Sequence, residues 1–308
     1  MGTLVRMVLY TTDPARAQKA ATAAFDRLEE LEEILSDYRD ESELNRLTRE
    51  VAGRPQAVSP ELFEVLEQAQ RFSQLSGGAF DITIGPLARL WREARRAKRL
   101  PDAAQLAQAT AAVGWRNLEL DPQNRTVMLK RADMKLDLGG IGKGYAADQA
   151  LAVVRAYGVQ TSLIAAGGDI RVSGLPPGRN GWRIDIENPD PKGKKPLCNV
   201  QLRDAAISTS GDTQQFLETG GERYSHIVSP VSGWGLKDAA STTVIARDGI
   251  AADALATALS VMPVEQGIKL VESVEGASAF LVRRSGARFE HFRSRGFPPV
   301  CGKAQEQE

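Results

Sequence analysis

The chain has 308 residues, which is long enough to bury a sizeable core in one large domain or two. It is 42% apolar and 25% charged, with 39 basic and 39 acidic side chains, a balance that argues against a disordered chain or a bulk nucleic-acid binder. The two cysteines, Cys198 and Cys301, match no metal-binding spacing, and a disulfide between them stays open. No membrane span or signal peptide is visible, and a trimmed mature chain and an intact cytoplasmic one are equal alternatives.

The first part of the chain is predicted to be mainly helical. After a strand at 4–10, Asp13 and Pro14 supply an N-cap and a first-turn proline, and apolar residues at helical spacing extend the helix to about Leu35. Further helices are predicted at 42–47, from 59 to a stop at 77–78, from about 86, and from 101–102 to 114. The fourth of these five helices carries Arg92, Arg95, Arg96, Lys98 and Arg99. They are interpreted as a solvated helix face, with anion binding as the less favoured alternative.

The second part alternates strands with fewer helices. A hairpin at 118–120 and 126–130 leads into a short buried strand at 135–138 and a helix at 145–157. More strands are predicted at 162–165, 170–172, 182–187, 197–202, 214–218, 223–228 and 242–245. A helix at 250–262, one more helix, a hairpin at 277–282 and 288–292 and a polar tail complete the chain. Helices early and strands late indicate an α+β fold without a clean linker.

Residues 135–148, KLDLGGIGKGYAAD, are the most informative stretch. Its four glycines let backbone N–H groups approach a ligand, the helix that follows favours anions at its N-terminus, and Lys143 is the cation between them. These features indicate a diphosphate site. The Walker pattern fails because Gly144 follows Lys143, the dinucleotide fingerprint fits only partly, and a glycine-rich turn that binds nothing stays open.

Asp253 and Thr257 lie four residues apart on a predicted helix and therefore share one face. A carboxylate beside a hydroxyl is a hard oxygen pair suited to Mg²⁺. The alternative is a helix-dipole aspartate and a threonine that bonds back into its own helix.

The chain has two histidines, His226 and His291. His226 lies in a strand that leads into a turn, where it is either structural or a base that takes a proton from a hydroxyl nucleophile. No role is assigned to His291. The hydroxyl run at 208–210 lacks the strand–elbow–helix context of a serine hydrolase.

Eight motifs in order resemble those of the ApbE family, the FAD:protein FMN transferases once described as thiamine-biosynthesis lipoproteins. They are MGT at 1–3, LS-x-Y at 35–38, GAFDIT-x-GPL at 78–87, LDLGGIGKGYAAD at 136–148, GGDI at 167–170, ISTSG at 207–211, HIVSPVSG at 226–233 and ADALATAL at 252–259. Each motif is weak alone, but the series covers almost the whole chain.

The resemblance implies a T-fold-like α+β domain with mixed or antiparallel sheets and packed helices, spanning 1–308 either as one body or as two intimately packed lobes. It also implies that FAD is split at its diphosphate and that FMN is esterified to a threonine hydroxyl of a partner protein, with release of AMP and a requirement for Mg²⁺. The implied flavin and adenine contacts are Met1, Tyr38, Ala79, Phe80, Asp81, Asp137, Lys143 and Val228. The implied metal ligands are the Gly140 carbonyl and the side chains of Asp253 and Thr257, and the implied catalytic residues are His226 and Lys143.

Two positions depart from the family pattern. Ala256 stands where some members carry a second aspartate, which makes the implied metal shell thinner. Ser229 stands where many members carry Asp, so the surroundings of His226 differ from the family pattern. Two other functions stay open: an FAD pyrophosphatase that uses water as acceptor, and a flavin-binding protein without turnover. The expected acceptor is a membrane redox-complex subunit or another secreted flavoprotein. The expected location is the outer, periplasmic face of the cytoplasmic membrane, through a lipoprotein anchor not visible in this chain, with the cytoplasm as the alternative.

Overall fold

The computed structural model describes residues 3–50, 52–190, 193, 195–211, 215–237, 239–286 and 288–298. The helices in these ranges are α1 Pro14–Leu35, α2 Glu43–Leu47, α3 Pro60–Leu75, α4 Gly85–Ala97, α5 Ala103–Ala111, α6 Gly142–Ala156, α7 Gly249–Val261 and α8 Val264–Ser273. The first seven strands are β1 Val5–Tyr10, β2 Gln56–Ala57, β3 Leu118–Asp121, β4 Thr126–Leu129, β5 Thr161–Ala166, β6 Asp169–Ser173 and β7 Trp182–Ile186. The others are β8 Cys198–Leu202, β9 Ala206–Gly211, β10 Phe216–Thr219, β11 Glu222–Ser225, β12 Ala239–Ala246, β13 Ser278–Ser285 and β14 Arg288–Arg293.

The main sheet has the strand order β1-β5-β6-β9-β12-β13-β14, and every neighbouring pair is antiparallel. Smaller sheets are formed by β2-β4-β3, by the β7–β8 hairpin and by the β10–β11 hairpin. The predicted α+β class with antiparallel sheets is therefore confirmed.

Both faces of the main sheet are buried, because its strands alternate apolar side chains between the two faces. Ile164 and Leu281 join the larger core cluster with α1, α3, α6 and α7, whereas Leu163 and Phe280, one residue away, pack under the β7–β8 hairpin. A third cluster joins α4 and α5 to the β10–β11 hairpin through Trp91. The helices thus cover one face and the β7–β8 hairpin covers the other.

Local capping signals explain where several helices begin. Asp13 accepts a hydrogen bond from Arg16 N at 3.0 Å, and Ser59 and Asp102 cap α3 and α5 in the same way. These starts agree with the sequence prediction. Asp248 caps α7 by accepting from Ala251 N at 2.9 Å.

Several boundaries differ from the prediction, and three of the differences bear on the site. Residues 135–138 form no strand: Lys135 makes a single parallel bridge to Ile84, and Asp137 N donates to Ile82 O at 2.8 Å, so this segment runs along a turn instead of a sheet. The following helix begins at Gly142, three residues early. His226 lies just beyond β11, because that strand ends at Ser225.

Cys198 is disulfide-bonded. The cysteine pairing left open from the sequence involves Cys301, which lies outside the described residues. No described helix is long and apolar enough to cross a membrane.

Candidate active site

A cavity of about 1180 Å³ opens between the helical layer, the end of the main sheet and the two hairpins. The predicted site residues among the described part of the chain all line it: Tyr38, Ala79, Phe80, Asp81, Asp137, Gly140, Lys143, His226, Val228, Asp253 and Thr257. They come from segments more than 200 residues apart in sequence. Met1, the remaining prediction, lies outside the described residues.

The floor of the cavity is formed where α6 and α7 cross at their N-termini. A Cβ on Gly144 would lie 2.1 Å from Gly249 O, and a Cβ on Gly249 would lie 2.3 Å from Gly144 O. Backbone therefore meets backbone at this point, which only glycine permits on both sides. The crossing carries Lys143 to the side of α7 that bears Asp253.

Asp148 fixes the crossing from the next turn of α6. Its carboxylate accepts hydrogen bonds from Gly249 N at 2.9 Å and Ile250 N at 3.0 Å, and Arg171 Nε lies 2.9 Å from the same group. Burial raises the pKa of Asp148, while the two backbone donors and Arg171 oppose that rise. A side chain on α6 thus caps the first turn of α7.

Lys143 lies among oxygen atoms. Its Nζ is 2.6 Å from Gly139 O, 3.3 Å from Asp253 Oδ2 and 3.2 Å from Asp169 Oδ2. Asp169 and Asp253 are 3% and 2% exposed, so one ammonium faces two buried carboxylates. We call these two the carboxylate pair. Asp169 Oδ2 accepts no hydrogen bond from the described residues, and its contact with Lys143 is an ion pair.

The electrostatics follow from this excess of negative charge. Burial, reinforced by the charge of Asp169, raises the pKa of Asp253 to about 7. Burial would lower the pKa of Lys143, but the charges of Asp169 and Asp253 outweigh it and hold that pKa above its usual value. When both carboxylates are ionised, they leave one negative charge that Lys143 does not balance.

The predicted metal ligands are neighbours. A Cβ on Gly140 would lie 2.7 Å from Thr257 Oγ1, and Ser210 Oγ lies 3.4 Å from the same hydroxyl. Gly140, Thr257 and Asp253 thus offer a carbonyl, a hydroxyl and a carboxylate, which are the hard oxygen donors that suit Mg²⁺. Within the described ranges no three His, Cys, Asp or Glu side chains cluster as a metal site. The donor set fits Mg²⁺ through its mixture of oxygen types rather than through several carboxylates.

Ala256 points away from this site. It is fully buried and belongs to the core cluster behind α7, whereas Thr257 lines the cavity. An aspartate at position 256 would therefore lie on the core side of this helix. The carboxylate that accompanies Asp253 here is Asp169, which comes from β6.

The opposite wall contains the predicted flavin contacts. Tyr38 is 64% exposed, and its ring lies against the guanidinium of Arg92. Phe80 is 3% exposed and packs edge-on against Phe72, so most of its ring belongs to the core. Asp81 accepts hydrogen bonds from Thr83 and Trp115 N, which fixes the turn before α4. Tyr38 is the aromatic side chain with an open face on this wall.

His226 lies in the rim segment, which we define as residues 226–237. Both His226 N and Nδ1 lie 3.1 Å from Gln215 O. In the tautomer in which Nδ1 donates to that carbonyl, the basic lone pair is on Nε2. Ser229 Oγ accepts from Ser232 N and Trp91 Nε1 donates to Gly233 O at 2.7 Å, so the rim segment has a defined shape.

Sequence reasoning missed Asp169 and misplaced Arg92. Asp169 follows two glycines at the end of β5, a pattern that indicates a turn, and its burial depends on α6 and α7 packing above it. No sequence signal identified it, because its neighbour Ser208 is set by the pairing of β6 with β9, and the sequence predicted no strand at β9. Arg92 reaches the cavity from a helix whose neighbouring arginine Arg89 is exposed.

Comparison with known proteins identifies the class. The family model described as "ApbE family" matches residues 1–281, and the chain belongs to that family. It is 34% identical to the FAD:protein FMN transferase of Treponema pallidum, covering 92% of this chain and 82% of that one. It is 32% identical to the FAD:protein FMN transferase of Vibrio cholerae, covering 98% and 91%.

The structure gives the same result. A histidine-to-glycine variant of the flavin transferase ApbE from Vibrio cholerae superposes with a TM-score of 0.85 at 31% identity, over 96% of this chain and 95% of that one. The expected ApbE architecture is confirmed. The role of each lining residue stays a prediction.

Proposed function

We propose that this protein transfers FMN from FAD to a threonine hydroxyl of an acceptor protein, releases AMP and requires Mg²⁺. One observation carries the proposal most strongly: the Lys143 ammonium, the N-terminus of α6 and two buried carboxylates meet on the floor of one large cavity. The names of its relatives in Treponema pallidum and Vibrio cholerae supply the flavin donor and the protein acceptor.

Lys143 and the first turn of α6 bind the diphosphate. The ammonium is a point charge that can shift from the carboxylate pair to a phosphate oxygen, and the N-terminal amides of a helix favour anions. Phosphoryl transfer depends mainly on placing the reacting groups in line and neutralising their charge, and these two features supply the neutralisation. Tyr38 holds the flavin by offering its open ring face.

His226 takes the proton from the incoming threonine hydroxyl. A neutral imidazole can do this near pH 7, and its bond to Gln215 O orients the ring toward the cavity that Val228 and Pro230 also line. The transfer then forms a bond from the threonine oxygen to the FMN phosphorus and breaks the bond between that phosphorus and the oxygen that leaves with AMP.

Mg²⁺ would be held by Gly140 O, Thr257 Oγ1 and Asp253. When bound, it neutralises charge on the diphosphate. The carboxylate pair provides the negative charge that a divalent cation needs in a buried position. With Asp253 contacting both the metal and Lys143, Asp169 would keep Lys143 close.

The acceptor and the location complete the proposal. We take the acceptor to be a subunit of a membrane redox complex or another secreted flavoprotein, and the site of action to be the periplasmic face of the cytoplasmic membrane. Both follow from the family resemblance. Identifying the proteins that carry FMN only in cells with the active enzyme would test both.

Incubation of the protein with FAD and Mg²⁺, with and without an acceptor peptide, tests the reaction. Transferase activity requires AMP release that depends on the peptide, together with a flavin-labelled threonine in its mass spectrum. AMP release without peptide would make the protein a pyrophosphatase, and no AMP at all would make it a flavin-binding protein.

Asp253→Asn tests the cation site in the same assay. We expect metal affinity to fall by at least about 100-fold, because even outer-shell ligand partners are worth about 10- to 100-fold. AMP release should be lost with it. Calorimetric titration with Mg²⁺ in the absence of FAD measures the affinity, and Glu265→Gln, an exposed change on α8, is the control. Parental affinity and turnover in Asp253→Asn would locate the metal elsewhere.

A further inference from the structure

Arg92, on α4, bridges two walls of the cavity through contacts with both. Arg89 on the same helix is exposed and forms an ion pair with Glu93, as the sequence predicts for a solvated face. The side chain of Arg92 is 24% exposed and points into the cavity. The solvated-face interpretation is therefore wrong for Arg92, and Arg95 on the same helix also lines the cavity.

Its guanidinium contacts three groups at once. Nη2 lies 2.7 Å from Asp37 Oδ2 and 3.3 Å from Asp137 Oδ2, and the guanidinium carbon lies 4.3 Å from the centre of the Tyr38 ring. A planar guanidinium can bond carboxylates along its edge while it stacks on an aromatic face. Lysine can provide the charge but not this combination.

The three groups belong to two different segments of the site. Asp37 and Tyr38 lie in the turn after α1, which forms the predicted flavin wall. Asp137 precedes the glycine-rich loop, and its other oxygen accepts a hydrogen bond from Gly139 N at 2.8 Å. Arg92 thus connects the wall that would hold the flavin ring to the loop that would hold the diphosphate.

Removing Arg92 would leave two carboxylates facing each other. The side chains of Asp37 and Asp137 are 16% and 15% exposed. Burial and the charge of Asp37 both raise the pKa of Asp137, and Arg92 opposes them. Without the guanidinium, repulsion between the two carboxylates would separate the segments that carry them.

We propose that Arg92 is a positioning residue that sets the placement of Tyr38 relative to the glycine-rich loop, so that one FAD molecule can contact both. This inference rests on the proposed function for the identity of the ligand. The ligand-free contacts of Arg92 are independent of it.

Hydrogen exchange of the ligand-free protein tests the positioning directly. In Arg92→Met, amide exchange should become faster in residues 36–40 and 137–142 while the main sheet keeps its parental rates. Arg89→Met, on the same helix, is the matched control. Parental exchange in either segment, or faster exchange spread evenly over the protein, would overturn the proposal.

FAD affinity and a double-mutant cycle test the consequence. Arg92→Met should weaken FAD binding by about 10- to 100-fold, the value of hydrogen bonds to charged groups. Arg92→Lys should recover less than half of that loss on a logarithmic scale, because an ammonium cannot stack on the Tyr38 ring as the planar guanidinium does. Full recovery in Arg92→Lys would show that charge alone matters and would overturn the proposal.

In the background of Tyr38→Leu, Arg92→Met should reduce FAD affinity by a several-fold smaller factor, since one of the groups that Arg92 positions is gone. Additive losses would contradict the coupling. If the parent protein binds no FAD, the proposed function fails, and the exchange measurement still decides the positioning role.

Discussion

The floor of the cavity and its rim are built in opposite ways. The floor is made where α6 and α7 touch through Gly144 and Gly249, inside the largest core cluster, and Asp148 ties the two helices together. The rim segment is an irregular run that follows the two-stranded β10–β11 hairpin and is held to α4 through Trp91. Groups that handle buried charge are thus carried by the core, whereas the candidate base lies on a peripheral turn that an acceptor can approach.

The largest expected effect is on the floor. Gly144→Ala would place a methyl group 2.1 Å from a backbone carbonyl that cannot move without shifting α7. We expect a loss of at least about 3 kcal/mol of unfolding free energy, the upper range for overpacking, or failure to fold. Gly142→Ala, where the new Cβ would lie 3.7 Å from Leu138 Cβ, is the control. Denaturant titration of both proteins measures the difference, and equal stabilities would mean that the crossing is not close-packed.

A change in the rim segment should lower the rate of FMN transfer rather than the stability of the protein. General-base assistance is worth about 10²–10⁴-fold, so His226→Ala should transfer FMN more slowly by that factor. FAD affinity and melting temperature should stay near the parental values, because the rim segment is outside the main core. His291→Ala is the control. A parental transfer rate in His226→Ala would refute the base assignment, although not the family.

The smallest expected effect concerns the attachment of the rim. Trp91→Phe keeps an aromatic ring beside Tyr224 and Trp234 but removes the donor to Gly233 O. An unsatisfied buried carbonyl costs about 1–3 kcal/mol of stability. Because the turn also carries His226, we expect a fall in transfer rate with unchanged FAD affinity. If Trp91→Phe transfers FMN at the parental rate after correction for unfolded protein, the attachment of the rim does not position His226.

Features governed by neighbouring residues were predictable from the sequence. Asp13, Ser59 and Asp102 cap helices through bonds from amides two or three residues ahead. The described parts of the motifs lie beside one cavity, so the series of motifs brought the predicted site residues of the described chain together. The prediction that Asp253 and Thr257 share one face likewise required only that their segment be a helix.

Features that depend on distant partners were not predictable. Residues 135–138 look like a strand, yet their backbone partners are Ile82 and Ile84 in a turn more than 50 residues earlier. The burial of Arg92 depends on Asp37 and Asp137, which approach it only after α1 and the glycine-rich loop have packed. Asp169 gained its importance in the same way, from α6 and α7 above the end of β6.

The placement of β1 has a practical consequence for handling the protein. β1 is an edge strand of the main sheet, and Thr3 and Leu4, just ahead of it, line the cavity. An affinity tag fused before Thr3 would emerge at that lining, where it would compete with flavin and acceptor. Kinetic work should therefore use protein from which such a tag has been removed.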